Sequence, residues 1–508
     1  MAILEYRIIT LFFVSILVIP TLGCEDEIEN NSVSNLNGGI DNSKIDLEGN
    51  LEISDFVWKG LNEFYYWQDE VEDLSDNKLE DESTYAKYIS ENSQPKEFFV
   101  SLKHTDDRFS WIEDDYRELE NTLQGIIASN GVEFGLLYAC KNCNELIGFV
   151  KYILKGSNAD EKNIKRGDLF TGVNGNLLTA YNYRSLLFDG DMNYTLNMAS
   201  VRNGAIFNTG VEIDLTKEED FEINPIQISE IINLGNTGEV ENEKIGYLMY
   251  NQFVSDKSHQ LNQVFRNFKN EGISELVIDL RYNGGGSVKN CVELASMITG
   301  QFTNEIFAEE QWNSKLLPYL RNNFGKETLI NRFRGVLDDG EEINSLNLSR
   351  VFIITTSESA SASELLINGL SPYINVIQIG EKTVGKNVGS ITVYDYIDDE
   401  QTKNPDHTYA MQPIVLKIAN NDGFADYTNG LLPDYFIEED IQNMGILGTK
   451  NEPLLSEVLE IINGTSKSNI PRNSISKRSK VKDPLMLKRQ VMFVEKKEVF
   501  FNQLINKP

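Results

Sequence analysis

A serine in a turn of small residues is the first position in this sequence that could do covalent chemistry. Ser361 follows an apolar, β-branched run, Val351–Thr356, and precedes a stretch of helical composition, Glu364–Leu370. A strand that passes into a helix through small residues exposes the side chain at the turn, and the first N–H groups of the helix point towards a developing oxyanion. The pattern therefore favours Ser361 as a nucleophile.

A lysine 25 residues further along the chain could act as the base. Lys386 lies between Gly385 and a polar turn, and none of the three histidines lies in a setting typical of a catalytic triad. Lysine can take the proton of a serine hydroxyl when an apolar, water-poor site lowers its pKa, whereas arginine keeps its proton. The same residues also fit a Ser/Ala-rich helix start with Lys386 on a solvated loop.

A run of three glycines supplies a second candidate feature. An apolar strand pattern, Glu275–Leu280, passes through Arg281, Tyr282 and Asn283 into Gly284–Gly286. Consecutive glycines allow positive φ angles and let backbone N–H groups approach a ligand closely, which suits half of an oxyanion hole. The run lacks the lysine–serine ending of a phosphate-binding loop. Its simpler interpretation is a flexible turn.

Together these stretches resemble the S41 family of serine peptidases, the C-terminal processing or tail-specific proteases. The matching segments are Asp279–Gly286, Ser359–Glu364 and Gly385-Lys386, and Gly430–Asp434 is similar to a Pro-Asp turn late in the family's domain. These motifs occur in the family's order along the chain. The resemblance implies that the protein cleaves polypeptides.

The resemblance also implies the roles of individual residues at the reaction centre. Ser361 matches the family's nucleophile and Lys386 its base, and their separation agrees with the family pattern. The oxyanion hole would be formed by the backbone N–H of Ala362 and that of a glycine, Gly284 or Gly285.

Further polar positions are expected to support the site. Asp279, Arg281 and Glu364 match polar residues that the family holds near its active site. Many members carry glutamine four residues after the lysine, where it orients the amine, but this chain has Ser390. A serine hydroxyl can still hydrogen-bond an amine over a shorter reach, so Ser390 is the candidate for that place.

Charge and length restrict the class of protein further. The 508 residues suffice for two to four domains, and the formal net charge is −32. Nucleic-acid binding needs a basic footprint, so such a partner is not expected. The acidic exterior also argues against adhesion to an anionic membrane through the protein surface.

The first residues indicate export and a lipid anchor. Met1–Gly23 has a basic residue followed by a short apolar core, as in a signal peptide. The four residues ending at Cys24 resemble a bacterial lipobox, which predicts lipid on Cys24 and a lipoprotein of the bacterial cell envelope, periplasmic or surface-exposed on the outer membrane. Plain secretion or a short uncleaved anchor remain alternatives. Residues 24–50 are polar and predict a disordered tether.

Two smaller domains are expected before the catalytic one. Residues 51–122 have aromatic residues at helical spacing and predict a small helical domain. Residues 123–215 show short strand patterns, and Lys165–Gly175 resembles the PDZ pattern. A PDZ-like domain binds an extended peptide as an added strand, and Phe134-Gly135-Leu136-Leu137 is the candidate carboxylate loop. The alternative is a β-domain that serves as a spacer.

A pair of cysteines in this β-rich region carries no catalytic expectation. Cys140 and Cys143 form a CxxC motif, but a zinc site would need a second pair. In an exported protein a local disulfide is favoured over two free thiols. No metal ion and no cofactor are therefore expected.

The remaining chain predicts a mixed, multidomain α/β protein. Residues 216–240 are charged and read as a linker, and strand and helix patterns alternate through residues 241–464. Such alternation favours an α/β core with much parallel pairing. Residues 465–508 are basic without sustained periodicity, which favours solvated disorder over docking on the acidic body.

Two functions follow from these observations. The favoured one is a serine endopeptidase of the C-terminal processing type, with a Ser361–Lys386 dyad and a PDZ-like module that captures substrate C-termini. The alternative is a catalytically silent peptide- or polysaccharide-binding surface lipoprotein on the same scaffold, which Ser390 and the aromatic N-terminal segment motivate. The presence of both Ser361 and Lys386 weighs against the second.

Overall fold

The computed structural model of the chain describes residues 48–202, 205–237, 240–398, 400–465, 479–481 and 483–495. The predicted export signal, Cys24 and most of the predicted tether lie outside these residues. Within the described ranges, no helix combines the length and the apolar character that crossing a bilayer requires.

Helices dominate the first described part of the chain, as expected for residues 51–122. Trp58 and Leu61 lie on one face of the first helix and are fully buried, because residues three apart share a helix face. The elements are α1 (Asn50–Phe64), 3-10 turns at Gln68–Glu70, Glu72–Leu74 and Asp76–Leu79, α2 (Glu82–Glu91), α3 (Pro95–Ser101), β1 (Trp111–Glu113) and α4 (Tyr116–Leu123). We call this part the helical domain.

An antiparallel sheet with its own core follows. Its strands are joined in the order β3-β4-β5-β7-β8, with β6 beside β5, while β2 pairs with β9. The core includes Val150, Phe170 and Leu196. The elements are β2 (Ile126–Ser129), β3 (Val132–Tyr138), β4 (Leu146–Ile153), a 3-10 turn at Asn158–Glu161, β5 (Leu169–Val173), β6 (Asn176–Leu177), α5 (Tyr183–Leu187), β7 (Asn193–Arg202), β8 (Ala205–Thr216) and β9 (Glu218–Glu222). We call this part the β-rich domain.

The third part alternates strands and helices, as predicted. Its elements are β10 (Ile226–Thr237), β11 (Val240–Tyr250), a 3-10 turn at Ser255–Lys257, α6 (Ser258–Glu271), β12 (Glu275–Asp279), β13 (Gly286–Ser287), α7 (Val288–Ile298), β14 (Ile306–Trp312), α8 (Leu316–Phe324), a 3-10 turn at Lys326–Leu329, β15 (Ile330–Arg332), β16 (Arg350–Thr355), α9 (Ala362–Leu370), β17 (Asn375–Gly380), β18 (Val388–Ser390), β19 (Val393–Tyr394), β20 (Ala410–Gln412), β21 (Ile414–Asn420), β22 (Tyr435–Phe436) and α10 (Pro453–Ile462). After these come α11 (Met486–Arg489) and β23 (Met492–Phe493).

A mostly parallel sheet forms the centre of this third part. Its order is β10-β11-β12-β16-β17-β22, with β10 antiparallel to β11 and the other neighbours parallel. Val277 and Phe352 lie in register and pack into one core, whereas the adjacent Ile278 and Ile353 pack into another. Since side chains alternate between the faces of a strand, both faces are covered, and the strands are apolar throughout.

The core on one face continues into the helical domain. Trp58 and Leu61 belong to the same apolar cluster as Ile353 and Leu294 of the parallel-sheet part. A further sheet of order β13-β23-β18-β21-β14-β15 lies beside it, and β1 of the helical domain pairs with β20. The helical domain is therefore part of the scaffold around the catalytic candidates.

Two sequence predictions are wrong for the residues that the structure describes. Residues 216–240 were expected to be a linker, but most of them form β9 and β10, and β10 extends the parallel sheet. Residues 465–508 were expected to be disordered, but residues 479–481 and 483–495 lie on the body and contribute α11 and β23. Both segments are rich in charged residues, which suggested that they lack regular structure. They nevertheless form strands, because pairing of backbone groups with neighbouring strands outweighs the local composition.

Candidate active site

Ser361 lies at the turn between β16 and α9, as the sequence predicts. Its backbone has φ 66° and ψ −118°, a sparsely populated conformation for a residue with a Cβ atom. Its side chain is fully buried, and among the described residues Oγ has no hydrogen-bond partner. Backbone strain of about 1–3 kcal/mol and a buried hydroxyl without a partner both point to a functional position.

The small residues around Ser361 fix the turn to the segment after β12. Ser359 Oγ donates to the Leu280 carbonyl oxygen at 2.8 Å, and Ser363 Oγ donates to that of Asn283 at 3.0 Å. The Ala360 N–H also donates to the Asn283 oxygen, at 3.1 Å. The two sequence stretches singled out for chemistry are therefore in direct contact.

Lys386 has a fully buried amine. Burial lowers the pKa of this lysine to about 7, against the opposing effect of the negative charges of Asp107 and Glu364. Its Nζ donates to the Gln490 carbonyl oxygen at 2.6 Å and lies 4.9 Å from the centre of the Phe109 ring. An amine with this pKa is available as a base near neutral pH. In this arrangement it donates to a backbone carbonyl and makes no hydrogen bond with Ser361.

Glu364 joins the backbone of the serine turn to that of the lysine loop. The N–H groups of Ser361 and Lys386 both donate to Glu364 Oε2 at 2.8 Å. Its other oxygen accepts from the Gly385 N–H at 2.7 Å and from Thr383 Oγ1 at 2.5 Å. Burial raises the pKa of this carboxyl, and these hydrogen bonds act in the opposite direction. Glu364 thus positions both candidate catalytic residues.

The glycine run lies against Ser361. A Cβ atom on Gly285 would lie 2.8 Å from Ser361 Oγ and 2.5 Å from the Val491 carbonyl oxygen, and the φ of this glycine is 116°. The Gly285 N–H donates to Asn283 Oδ1 at 2.8 Å, so this predicted oxyanion donor is already engaged. The N–H groups of Gly284 and Ala362 donate to no acceptor among the described residues. These two are the available donors.

Comparisons with known proteins agree with this geometry. Residues 244–414 match the family description "Peptidase family S41", and residues 52–111 match "Peptidase S41 N-terminal domain". The chain carries a peptidase S41 domain. The second match covers most of the helical domain, whose packing against the S41 domain is described above.

The curated relatives are distant. A "Probable CtpA-like serine protease" of Staphylococcus aureus strain N315 is 22% identical over 392 residues, which are 77% of this chain and 65% of that protein. A "C-terminal processing peptidase, chloroplastic" of Tetradesmus obliquus is 25% identical over 253 residues, 48% of each chain. The chain therefore spans somewhat less than two thirds of the length of the Staphylococcus relative.

A solved structure has the same fold. A candidate S41 protease from Bacteroides fragilis NCTC 9343 superposes with a TM-score of 0.62 at 24% sequence identity. The match covers 81% of this chain and 97% of that one. The mixed α/β fold predicted from the sequence is confirmed.

Asp279 and Arg281 support the S41 domain from behind Ser361. The fully buried Arg281 guanidinium donates to Asp279 Oδ2 at 2.7 Å and to Glu452 Oε1 at 2.7 Å. Its backbone oxygen accepts from the Thr356 hydroxyl, next to the serine turn. Glu452 also caps α10, where its carboxylate accepts from the Leu455 N–H at 2.8 Å. The two predicted supporting residues therefore hold the end of β12 and contact no reacting atom.

Ser390 does not contact the lysine amine in this structure. Its Oγ donates to the Met492 carbonyl oxygen at 3.0 Å and accepts from Gln412 Nε2 at 3.0 Å. A role for Ser390 in orienting Lys386 is therefore unsupported by the geometry, because its hydroxyl holds β23 instead.

The helical domain contributes residues that the sequence analysis did not assign to the site. The Phe109 ring packs against the Lys386 amine, and Asp107 lies near enough to affect its pKa. Arg108 donates to the Gly385 carbonyl oxygen at 2.7 Å, directly before the lysine. The sequence run that contains these residues was visible, but its spacing indicated only helical packing.

The predicted peptide-binding residues Phe134, Gly135, Leu136 and Leu137 lie within strand β3 and not in a loop. Strand β3 forms the edge of its sheet. A cavity of about 190 Å³ lies beside it and is lined by residues of β3 and by Gly284. Gly284 precedes the glycine that lies against Ser361, and we call the space between Gly284–Gly286 and Ser361 the serine cleft. The four residues expected to form a carboxylate loop are therefore part of an extended strand at a sheet edge.

Two further groups of side chains, a cysteine pair and a cluster of possible metal ligands, are also candidates for function. Cys140 and Cys143 face each other at the β3–β4 hairpin with Cα atoms 5.4 Å apart, a spacing that suits the expected disulfide. His259, Asp339 and Glu341 form a partly exposed cluster in which His259 Nδ1 lies 2.7 Å from Glu341 Oε2. Neither group has a role in the proposed reaction.

Proposed function

We propose that the protein is a serine endopeptidase of the C-terminal processing type. Ser361 Oγ attacks a peptide carbonyl carbon while Lys386 Nζ takes the hydroxyl proton. The N–H groups of Gly284 and Ala362 stabilise the negative oxygen of the tetrahedral intermediate. The C–N bond then breaks, and the protonated lysine gives its proton to the leaving amine. A water molecule, activated by the same lysine, hydrolyses the acyl-enzyme and restores the serine.

One observation carries this proposal. The backbones at Ser361 and Lys386 donate to the same oxygen of Glu364, and burial lowers the pKa of that lysine to about 7. The serine turn and the lysine loop are thus held together, and the amine can be neutral at physiological pH. A catalytic pKa near the working pH gives the most effective general base.

The β-rich domain supplies substrate capture in this proposal. Its edge strand β3 can accept an extended polypeptide as an added strand, the mode of recognition used by PDZ domains. The cavity beside β3 leads to Gly284 in the serine cleft. A substrate whose C-terminal end pairs with β3 would therefore have a preceding peptide bond near Ser361.

The test is cleavage of fluorescein-labelled casein by purified variants. We expect Ser361→Ala and Lys386→Met each to lower kcat at least about a thousandfold, as in other serine hydrolases. The matched controls are Ser349→Ala and Lys382→Met, because both side chains are exposed. Equal rates for Ser361→Ala and the unchanged protein would contradict the mechanism.

A catalytically silent binding protein is the second candidate. The observation in its favour is that the Lys386 amine donates to the Gln490 carbonyl and leaves Ser361 Oγ without a partner. A fluorophosphonate probe separates the two functions. Labelling at Ser361 that Lys386→Met abolishes supports the peptidase, whereas peptide binding without labelling at any pH supports the silent protein.

We also propose that the chain is exported and anchored by lipid on Cys24, on the strength of its first 24 residues. Expressed in a bacterial host, the protein should partition into the detergent phase of Triton X-114. Cys24→Ser should move it to the aqueous phase, while the Cys140→Ser, Cys143→Ser double variant should not. Aqueous partitioning of the unchanged protein would contradict the anchor.

A further inference from the structure

The last described residues pair with the edge of the β-rich domain. We call residues 479–481 and 483–495 the C-terminal segment. The Tyr138 N–H donates to the Ser479 carbonyl oxygen at 3.1 Å, and the Val481 N–H donates to that of Leu136 at 2.9 Å. Lys480 lies opposite Leu137 in antiparallel orientation. The segment therefore pairs with the edge of β3 through one antiparallel bridge, at the place proposed for substrate capture.

The same segment then passes through the serine cleft. Lys386 Nζ donates to the Gln490 oxygen at 2.6 Å, and the Gly286 N–H donates to the Val491 oxygen at 2.5 Å. A Cβ atom on Gly284 would lie only 2.3 Å from the Arg489 oxygen. The glycines predicted to let a ligand approach closely thus lie against the backbone of this chain.

Beyond the cleft, the segment is held as a strand. Met492 and Phe493 of β23 pair in parallel with Gly286 and Ser287, and Met492 is fully buried. The Ser287 hydroxyl donates to the Glu495 carboxylate. Contacts on both sides of Ser361 therefore fix the segment across the cleft.

Charge complementarity supports the same placement. The segment is basic, and its cations meet acidic groups of the body. Arg489 lies 2.7 Å from Glu133 of β3, and Lys480 lies 3.7 Å from Glu381. These ion pairs set cations of the segment against carboxylates of a chain whose formal net charge is −32.

We propose that the C-terminal segment is a ligand of the polypeptide-binding path that leads from β3 to Ser361, and that it competes in cis with substrate. This proposal rests on the proposed function, in which that path binds the substrate. The segment that fills the path is an extended, basic stretch of this same chain. A substrate must displace the segment before Lys386 can accept a proton.

The direction of the segment explains why it can stay uncut. Its residues run from β3 towards the cleft, since Ser479–Val481 pair with β3 and Arg489–Val491 lie at the glycines. A substrate captured by its C-terminal end at β3 would run the opposite way, from the cleft to β3. The segment therefore presents its peptide bonds to Ser361 in reversed polarity and blocks the site without matching the reaction geometry.

Binding measurements test the proposal independently of catalysis. We expect a fluorescein-labelled peptide with the sequence of residues 479–495 to bind Ser361→Ala protein that lacks residues 479–508. Its affinity there should be at least about tenfold higher than for full-length Ser361→Ala, measured by fluorescence anisotropy. Deletion of residues 496–508 alone is the matched control and should bind as weakly as the full-length protein. Equal binding to all three forms, or none to the shortest, would overturn the proposal.

The deletion could impair folding, because Met492 is part of the core. Exchanging the charges of one ion pair in the full-length protein tests the proposal without a deletion. In the full-length Ser361→Ala protein, Arg489→Glu places a carboxylate against Glu133 and should raise the affinity for the labelled peptide at least about threefold. Adding Glu133→Arg restores the opposite charges within the protein and sets Arg489 of the labelled peptide against an arginine, so the affinity should fall to the starting value or below it. No change with Arg489→Glu would count against competition in cis.

Kinetic measurements with the active protein test whether the bound C-terminal segment inhibits cleavage. Deletion of residues 479–508, or Arg489→Glu, should raise kcat/KM for labelled casein several-fold, and added peptide should raise KM without changing kcat. The intact mass of the full-length protein should stay constant, because self-cleavage of the segment would identify it as a substrate and contradict the proposal. If no form cleaves casein while the binding results are as expected, the proposed peptidase function is contradicted. The proposal that the C-terminal segment occupies the path is then still supported.

Discussion

Lys386 gains its chemistry from the exclusion of water around its amine. Its pKa of about 7 follows first from burial, which disfavours the ammonium form, while Asp107 and Glu364 act against that effect. The Phe109 ring, 4.9 Å from Nζ, is part of the apolar lining. The low pKa that suits the proposed base therefore comes from the surroundings of the residue, and the sequence alone could show only that a lysine was available.

The first prediction concerns the dependence of cleavage on pH. The rate constant kcat/KM for labelled casein should rise with pH through an inflection near 7 and then level off, because the neutral amine is the active form. Lys386→Arg should show no measurable activity at any pH, since a guanidinium keeps its proton. A rate for the unchanged protein that falls with pH across this range would contradict the assignment.

The same pKa has a consequence for stability. Between pH about 7 and 10.5 the native state binds fewer protons at Lys386 than the unfolded chain does. The free energy of unfolding therefore rises with pH across this window through the contribution of this residue. Urea unfolding of the unchanged protein and of Lys386→Met should show that slope in the first and a smaller slope in the second.

The second prediction concerns the backbone of Ser361. With φ at 66°, this residue carries strain that glycine would not. Ser361→Gly should therefore have a free energy of unfolding about 1 kcal/mol higher than Ser361→Ala, although both variants are inactive. Urea titrations at one pH measure the difference, and a glycine variant that is less stable than the alanine variant would show that the turn is unstrained.

At the scale of elements, the residues before β1 connect the helical domain to the lysine loop. Arg108 donates to the Gly385 carbonyl oxygen at 2.7 Å and to that of Thr428 at 3.0 Å. Asp107 Oδ1 accepts from the N–H groups of Phe109 and Ser110, both at 2.9 Å, which fixes the direction of the Phe109 side chain. Through this segment the helical domain contacts Lys386 and the residue before it.

The third prediction removes the ring from this segment. Phe109→Ala should admit water to Lys386, raise its pKa towards 10.5 and move the inflection of the pH–rate profile upward by at least about half a unit. Phe207→Ala is the control, because Phe207 is half-exposed on β8 of another domain. An unchanged inflection accompanied by a lower kcat would indicate a purely structural role for Phe109.

Elements whose structure is encoded by their own residues could be predicted from the sequence. The apolar runs of β12 and β16, the helix α9 and the small-residue turn at Ser361 all lie where the pattern predicts them. Each of these features follows from periodicity or residue size within a few positions. Contacts from distant parts of the chain, such as Phe109 with Lys386, leave no trace in a local pattern.

The C-terminal segment shows the same limit more strongly. It binds through its backbone at Ser479, Val481, Gln490 and Val491. Strand addition through main-chain groups requires no particular side-chain period, so the absence of periodicity was wrongly read as disorder. Its basic character was the one usable signal, because the rest of the chain is acidic.

At the scale of the molecule, a buried ionic cluster joins the β-rich domain to the S41 domain. Arg166 donates to Glu439 Oε1 at 2.5 Å and to the Tyr282 hydroxyl at 2.7 Å, and Arg281 donates to the same carboxylate oxygen at 3.1 Å. Burial acts to raise the pKa of Glu439, but the two guanidinium groups hold it at about 2. If β3 binds substrate as proposed, this joint sets its orientation towards Ser361.

The fourth prediction tests that joint. Arg166→Ala leaves a buried carboxylate short of a partner and should lower the free energy of unfolding by about 3–5 kcal/mol. The exposed Arg184→Ala should change it by less than about 0.5 kcal/mol. Because the pKa of Glu439 is lowered from 4.5 to about 2, its stabilising contribution is complete above pH 4.5 and is lost as the pH falls towards 2. Urea titrations at pH 7 and pH 4 measure both effects.

The position of β23 inside a sheet affects how two molecules can meet. It pairs with β13 on one side and with β18 on the other. Its departure would leave two rows of unpaired backbone groups facing each other across a strand-wide gap, and such edges invite pairing with another chain. The β23 strand of a second copy fits that gap as well as the first. Opening the cleft at high protein concentration is therefore expected to yield domain-swapped dimers, whose mutual exchange of strands would close both sites again.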